Sequence, residues 1–508
     1  MSGLRNKKIH SLANQFSSKL GTTAKEVAII LAAGHGKRIK SQRSKMLHKI
    51  WGVPTVQRVY NACVKGIKKV NTIIVVGIKA EDVIQAVGKR DNTSFAFQEK
   101  QNGTGHAVQV ALNKIRNKAF DGVVYVLPGD MGLLDEETIK SFSENFISSD
   151  SDMMVLTGIY DGNPMENSYG RIIRVNDKDE FGIPSLDRGK VIRILENKDI
   201  HALPDDQPYK IRYADRTYAY TKEELIENNE FNSGVYAFRY SRLKKLVKFL
   251  SSNNVQKEIY ITDLIELFNV HGYSVQAVSP KEHYAVMGFN NKSVLKEMEA
   301  IARKIVYEKL KDVIEIEDPD DFFIHDEVVD SILKMDKKNI PLDISIGSGV
   351  YVGSGVKLNY GVELKRDVKI WGNVHFGKKI VIHENAQLST FPHQTFRIGN
   401  NVEIFWGDII KGNIQIGDNA RIESSVNMTG SDEFPLTIGK KVLIKGTSYL
   451  FGTQVGDNVN IEHSVLIKKQ VKNNSNIGFY LPATLGTENI SELPIKRGVK
   501  KLRIKKKM

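Results

Sequence analysis

The stretch Val350–Leu388, VYVGSGVKLNYGVELKRDVKIWGNVHFGKKIVIHENAQL, decides the architecture of the C-terminal part of this 508-residue chain. Val350, Val356, Val362, Val368, Val374, Ile380 and Ala386 recur every six residues, and Val352, Leu358, Leu364, Ile370, Phe376, Ile382 and Leu388 run two behind them. Neither the helical nor the strand period alone gives six. Short strands separated by tight corners do, and hexapeptide repeats of this kind mark a parallel β-helix. A β-sandwich of alternating strands is the rival reading, and seven hexads in one register count against it. The spacing resumes at Val402/Ile404 and persists to Val465/Ile467, broken by TGSDEFP (Thr429–Pro435), which reads as a loop thrown out of a coil. The flats of such a helix expose apolar side chains, so self-association is expected.

Upstream the pattern is different. EVAIILAAG (Glu26–Gly34) reads as a buried strand running into a turn, and NTIIVVG, FAFQ and GVVYVLPGD follow as strands alternating with helical stretches. That alternation predicts right-handed crossovers and a parallel sheet, with ligands beyond the carboxyl ends of the strands. Gly34, Gly36 and Asp130 fall there. The helical run KSVLKEMEAIARKIVYEKLKD links the two parts. The expected organisation is a basic N-terminal extension (1–25), an α/β domain (26–295), a helical linker (296–340), a β-helix (341–475) and a basic tail (476–508).

The net charge of +14 invites a nucleic-acid reading, but its location argues against one. Residues 1–25 hold five Lys/Arg and residues 496–508 hold eight, with no acids in either segment; without those 13 the body carries 60 cations against 59 acids. Weak, unspecific contact of the tails with nucleic acid or an anionic surface is what that placement allows. No apolar run is long enough to span a bilayer, no signal-peptide core is found, and the single cysteine, Cys63, excludes an internal disulfide, so a cytoplasmic protein is expected. One imbalance remains: Val27–Ala80 contains no Asp or Glu, while Lys37, Arg38, Lys40, Arg43 and Lys45 crowd its middle. Such a segment suits an anionic ligand.

Two common phosphate loops fail here. A P-loop would need Gly at Leu31 and a hydroxyl at Arg38, and the dinucleotide fingerprint would need Gly at Ile39. What is left is a Gly-x-Gly backbone followed by cations, which fits a nucleotide phosphate site; a plain strand-to-helix turn with solvated lysines is its rival.

LAAGHGKRIKSQRSKMLHKIWGVP (Leu31–Pro54) resembles the signature loop of sugar-nucleotide pyrophosphorylases, and in particular that of the N-acetylglucosamine-1-phosphate uridylyltransferase family. QEKQNGTGHAV (Gln98–Val108), LPGD (Leu127–Asp130), YGRI (Tyr169–Ile172), LENKD (Leu195–Asp199), FNSGVY (Phe231–Tyr236), EIYITDLI (from Glu258) and GFNN (Gly288–Asn291) follow in that family's order. The resemblance implies a Rossmann-like α/β nucleotidyltransferase domain with a left-handed parallel β-helix behind it, and a homotrimer assembled through that β-helix. It implies the formation of UDP-N-acetylglucosamine, a cell-envelope precursor, and pyrophosphate from UTP and N-acetylglucosamine-1-phosphate. It further implies Arg38 and Lys45 on the triphosphate, and Leu31, Ala33, Gly34, Gly36, Gln98, Gln101, Gly103 and Thr104 around the nucleotide. Gly170, Glu196 and Asn232 would contact the sugar, and Asp130 and Asn290 would hold Mg²⁺. Lys198 is a candidate for helping with the sugar phosphate, with a solvated lysine as its near rival. Singly, Asp130 reads as a helix cap and Asn290 as a turn; it is their joint occurrence in family order that favours the metal.

Two features depart from the family. Lys37 and Ser44 replace Thr and Pro in the loop, and an insertion near His201–Asn229 separates the sugar motifs. They keep open another sugar and nucleotide pair, or a catalytically silent sugar-nucleotide sensor. Bifunctional relatives also transfer acetyl groups in the β-helix, using a His base and an Asn-Tyr pair. Here Ile409–Ile416 contains no His and the pair reads Asn427-Met428, so a structural β-helix is expected, with acetyl transfer as the alternative.

Overall fold

The computed structural model describes residues 2–34, 36–254 and 256–478; most of the basic tail expected over 476–508 lies outside them. The chain divides into two compact units, Met1–Ala302 and Arg303–Met508. Among the described residues no helix is long and apolar enough to cross a membrane.

The first unit is built on a nine-stranded sheet. Its strands are β1 (Glu26–Ala32), β2 (Asn71–Val76), β3 (Thr93–Phe97), β4 (Val123–Pro128), β5 (Met153–Ile159), β6 (Arg171–Arg174), β7 (Val191–Leu195), β8 (Glu230–Arg239) and β9 (Val275–Val278). The main path runs β9-β5-β8-β4-β1-β2-β3, with β6 and β7 attached beside β8. β1 pairs in parallel with β2 and β4, and β2 with β3, as strand–helix alternation requires. β8 departs from the expected parallel sheet: it runs antiparallel to both β4 and β5. β2 is buried at every position and β1 at most, because helices cover both faces of the sheet. These include α2 (Thr55–Gly66), α3 (Ala80–Val87) and α4 (Thr104–Leu112).

The N-terminal extension contains a helix, α1 (Ser2–Phe16), that the sequence pattern does not single out. Ile9 and Ala13 are buried in the core against α3 and β3, and Ser17 and Ser18 then bond the backbone of β3, the last strand of the path. An exposed strand edge is thereby covered. The insertion after His201 forms a hairpin, Tyr209–Tyr213 with Arg216–Tyr220. Ala214 and Asp215 turn it at φ 45° and 61°, the primed geometry that matches strand twist.

In the second unit three parallel sheets stack coil on coil. Ile382 pairs with Leu364, Ile422 with Ile404 and Ile416 with Ile398, each 18 residues on, so three hexads complete one turn. Ile416 and Ile438 are 22 apart, and the surplus is a loop from Ser431 to Pro435; Thr429 and Gly430, expected in that loop, stay in the strand Asn427–Gly430. Corners at Asn385, Asn401, Asn419 and Asn458 adopt φ 55–61°, the left-handed region Asn tolerates better than most residues. The sheets start inside the stretch expected as a helical linker: Glu315–Ile316 and Phe322–Ile324 already pair with the first coil.

Candidate active site

β1 ends at Ala32, and the chain turns through Gly34 and Gly36 to the short helical turn Lys45–Leu47. Gly36 sits at φ 65°, and a Cβ there would stand 2.8 Å from the Cβ of Lys45, so glycine lets this loop fold onto the lysine. Ser44, where the family has Pro, adopts φ −56° and ψ 139°. A proline ring fixes nearly that φ, so the substitution leaves the backbone path unchanged.

Lys45, Asp130 and Asn290 converge although 245 residues separate the first from the last. The Lys45 ammonium pairs with the Asp130 carboxylate and donates to Asn290 Oδ1 at 3.0 Å. It also lies 5.3 Å from the centre of the Phe289 ring. Lys45 and Asp130 are both largely buried, which strengthens their attraction relative to a surface pair. Two oxygens of different residues are thus trained on one cationic centre. Among the described residues no cluster of three or more His, Cys, Asp or Glu could hold a metal by itself. One carboxylate and one amide oxygen fit a hard divalent cation that takes its other ligands from water and phosphate.

The sugar candidates form a second group next to the first. The Gly170 carbonyl accepts from Asn232 N at 2.8 Å, and a Cβ on Gly170 would lie 3.3 Å from Glu196 Oε2. Asn232 Oδ1 accepts from Gly234 N and the Tyr236 hydroxyl. Tyr169 joins the two groups: its hydroxyl donates to the Gly288 carbonyl at 2.8 Å, and its ring stacks on Phe231. Gly288 in turn faces the Asp130 carboxylate, which a Cβ would approach to 3.5 Å. Burial, with the Asp130 charge as a lesser cause, pushes the Tyr169 phenol up to about 12.

Glu196 borders a cavity of about 590 Å³ that Asp199, Tyr260 and Asp263 also line. Burial, reinforced by Asp199, Asp263 and Glu258, raises its carboxyl to about 7. Lys198 reaches away to Gln256 Oε1 at 2.9 Å. Tyr169, Tyr260 and Asp263 lie inside motifs quoted from the sequence without being singled out there. Asp199 closes the LENKD motif, and no residue pattern in the sequence marks it as a wall of this cavity.

The nucleotide candidates divide. Gln98 is buried, and its amide nitrogen is spent on the Gly103 carbonyl and the His106 ring, both at 3.1 Å. It holds the turn in place. Gln101 is exposed, anchored by one bond to the Gln98 carbonyl at 2.9 Å. Gly103, at φ 105°, backs against Ile259, and Thr104 Oγ1 accepts from Ile261 N at the start of α4. Leu31 and Ala33 flank the end of β1, Ala33 being buried. Arg38 is exposed, and its guanidinium makes no hydrogen bond or ion pair with a described residue.

Comparison with known proteins places the chain among relatives. The MobA-like NTP transferase domain matches residues 28–174. The chain is 31% identical over 445 residues to the bifunctional protein GlmU of Acetivibrio thermocellus, covering 87% of this chain and 82% of that one. It is 30% identical over 448 residues to that of Clostridium kluyveri, covering 87% and 79%. A solved UDP-glucose pyrophosphorylase in complex with UDP-glucose aligns with 56% of this chain and all of its own at 14% identity and a TM-score of 0.37.

Proposed function

The chain belongs to the GlmU family, and on that premise we propose that its first unit transfers a uridylyl group from UTP to N-acetylglucosamine-1-phosphate, releasing pyrophosphate. The convergence of Lys45, Asp130 and Asn290 beside the Gly170–Glu196–Asn232 group carries this reading. Two anions must meet, so repulsion is the main barrier, and positioned charge is the remedy. The Gly34–Gly36 backbone approaches the triphosphate, and Lys45 and Arg38 neutralise it. Gln101 and the Gly103 turn read the uracil edge, and Gln98 keeps that turn rigid. Glu196 accepts from sugar hydroxyls, Asn232 takes the N-acetyl amide, and Lys198 would have to leave Gln256 to serve the sugar phosphate. The acceptor phosphate oxygen attacks the α-phosphorus in line, the bond to the β-phosphate bridging oxygen breaks, and no covalent enzyme intermediate forms. Mg²⁺, held by Asp130 and Asn290, supplies charge neutralisation across the phosphates when bound.

The test is pyrophosphate release across a panel of nucleoside triphosphates and sugar phosphates with a divalent cation. Release greatest with UTP and N-acetylglucosamine-1-phosphate is expected. Release with another pair would move the substrate assignment, and none with any pair would overturn the reading in favour of a sensor.

The β-helix is read as the assembly element of a cytoplasmic homotrimer. Tyr351, Trp371, Ile409, Tyr449, Val465 and Ile467 are all exposed, and all project outward from one of its three sheets. Such an apolar stripe fits a like stripe on neighbouring copies. Trp371→Lys is expected to lower the sedimentation mass of the trimer; an unchanged mass would exclude this face.

A second reading, acetyl transfer in the β-helix, is favoured by the word bifunctional in the relatives' names. His393, whose Nε2 meets Asp432 Oδ2 at 2.7 Å, is the more exposed of two β-helix histidines with a carboxylate partner, His383 with Glu403 being the other, and is the candidate base for such a step. Acetyl-CoA consumption with glucosamine-1-phosphate, lost in His393→Ala, would establish it.

A further inference from the structure

A second cavity, of about 640 Å³, lies at the other ends of the strands, bordered by Val27, Asn71 and Ser94 where β1, β2 and β3 begin. The candidate active site occupies their carboxyl ends, so the two are distinct. One wall of the second cavity is the extension that follows α1, and the other is the segment after α4, from Lys114 to Phe120. The extension is fixed there: Ser18 N donates to the Thr93 carbonyl at 2.7 Å, and Gly21 and Asn71 exchange bonds of 2.8 and 2.9 Å. The cavity therefore has built walls.

Its charge is one-sided. Lys19, Lys114 and Arg116 line it, and no Asp or Glu does. Other cations of this unit do find carboxylates, as Arg174 does with Glu230 and Lys8 with Glu81. The Lys114 ammonium, partly buried, makes no hydrogen bond or ion pair with a described residue. Burial first, and the like charge of Arg116 second, lower its pKa below the ordinary lysine value. A partly desolvated charge without a counter-ion costs stability, and an anion placed between Lys114 and Arg116 would relieve that cost. Leu20, from the extension, and Ile115 and Phe120, from the same segment as Lys114 and Arg116, add apolar lining. The volume lies within the range of small-molecule sites.

We propose that this cavity binds a small organic phosphate, its phosphate on Lys114, Arg116 and Lys19 and its flat apolar part on Leu20 and Phe120. A phosphate monoester dianion matches three cations better than a single carboxylate does. The site is separate from the uridylyl reading and stands whether or not that reading holds.

The probe is 1-naphthyl phosphate, whose fluorescence reports binding to the full-length protein, with UTP present or absent. One bound equivalent, undisturbed by UTP, is expected. Lys114→Met and Arg116→Met should each weaken it about tenfold, the loss of one charge-assisted contact. Neutral 1-naphthol should bind at least as weakly as the probe does to those variants. Displacement by UTP would put the probe in the catalytic cleft, and equal binding by wild type and both variants would dissociate it from these cations; either overturns the proposal, as does no binding at millimolar probe. Neither variant should melt below the wild type, because each removes a charge that has no counter-ion in the cavity; a marked fall would give the residue a structural role and count against a ligand site.

Discussion

Two carboxylates show how differently the two units use polar groups. Asp130, at the end of β4, meets a lysine and lies beside an amide oxygen on a remote loop. Asp408, at a corner of the β-helix, is fully buried; Oδ1 accepts from Val426 N at 2.8 Å, and Oδ2 has no hydrogen bond with a described residue. Burial lifts its carboxyl to about 8, so near neutral pH much of it carries a proton. One unit gathers charge at a point, and the other neutralises it inside a repeating core. The positions of the β-helix are explained by packing, those of the cleft by what must converge there.

That contrast can be broken most sharply at Asp130. Asp130→Ala should lower kcat for uridylyl transfer by about a thousandfold, several kcal/mol of lost charge stabilisation, in a protein still folded at the assay temperature although Lys45 loses its buried partner. In the β-helix the opposite split is expected. Ile404 is fully buried in the stack, and Ile404→Ala should cost about 2–5 kcal/mol in denaturant titration of the second unit with kcat unchanged. If kcat fell with it, the two units would not be separable in this way.

A smaller effect follows from Glu196. Its folded carboxyl titrates near 7, so it is ionised above that pH and protonated below it. Affinity for UDP-N-acetylglucosamine, whose own phosphates do not titrate there, should fall as pH drops through about 7, and Glu196→Gln should flatten the profile. The last effect, read in stability and not in turnover or binding, belongs to Asp408. A carboxyl raised from 3.8 to about 8 holds its proton more tightly in the folded state, so it takes stability away as pH rises through that window. Asp408→Asn should therefore raise the melting temperature more at pH 9 than at pH 5.

The same contrast governs what could be read from the residues. The β-helix was legible because each coil repeats the same burial, and even the Thr429–Pro435 interruption shows as a break in a period. The parallel strands of the first unit were legible from buried runs such as NTIIVVG, but the direction of β8 was not, since a strand buried on most of its length reads alike either way. α1 escaped because only Ile9 and Ala13 are buried on an otherwise polar helix. In the cleft, Lys45, Asp130 and Asn290 were found through ordered motifs, since no spacing joins residues so far apart. Asp199, Tyr260 and Asp263 were not found, because a cavity wall drawn from several elements leaves no periodic trace. Arg38 shows the converse: motif position proposed it, and the structure leaves it exposed, with no hydrogen bond or ion pair to a described residue.

The most direct test of a shared cation centre is a double-mutant cycle on uridylyl transfer with Asp130→Ala, Asn290→Ala and the pair. Residues that serve one ion act as a unit, so the double variant should lose no more than about threefold beyond the worse single variant. Losses that multiply, or single variants that turn over at the wild-type rate, would contradict it.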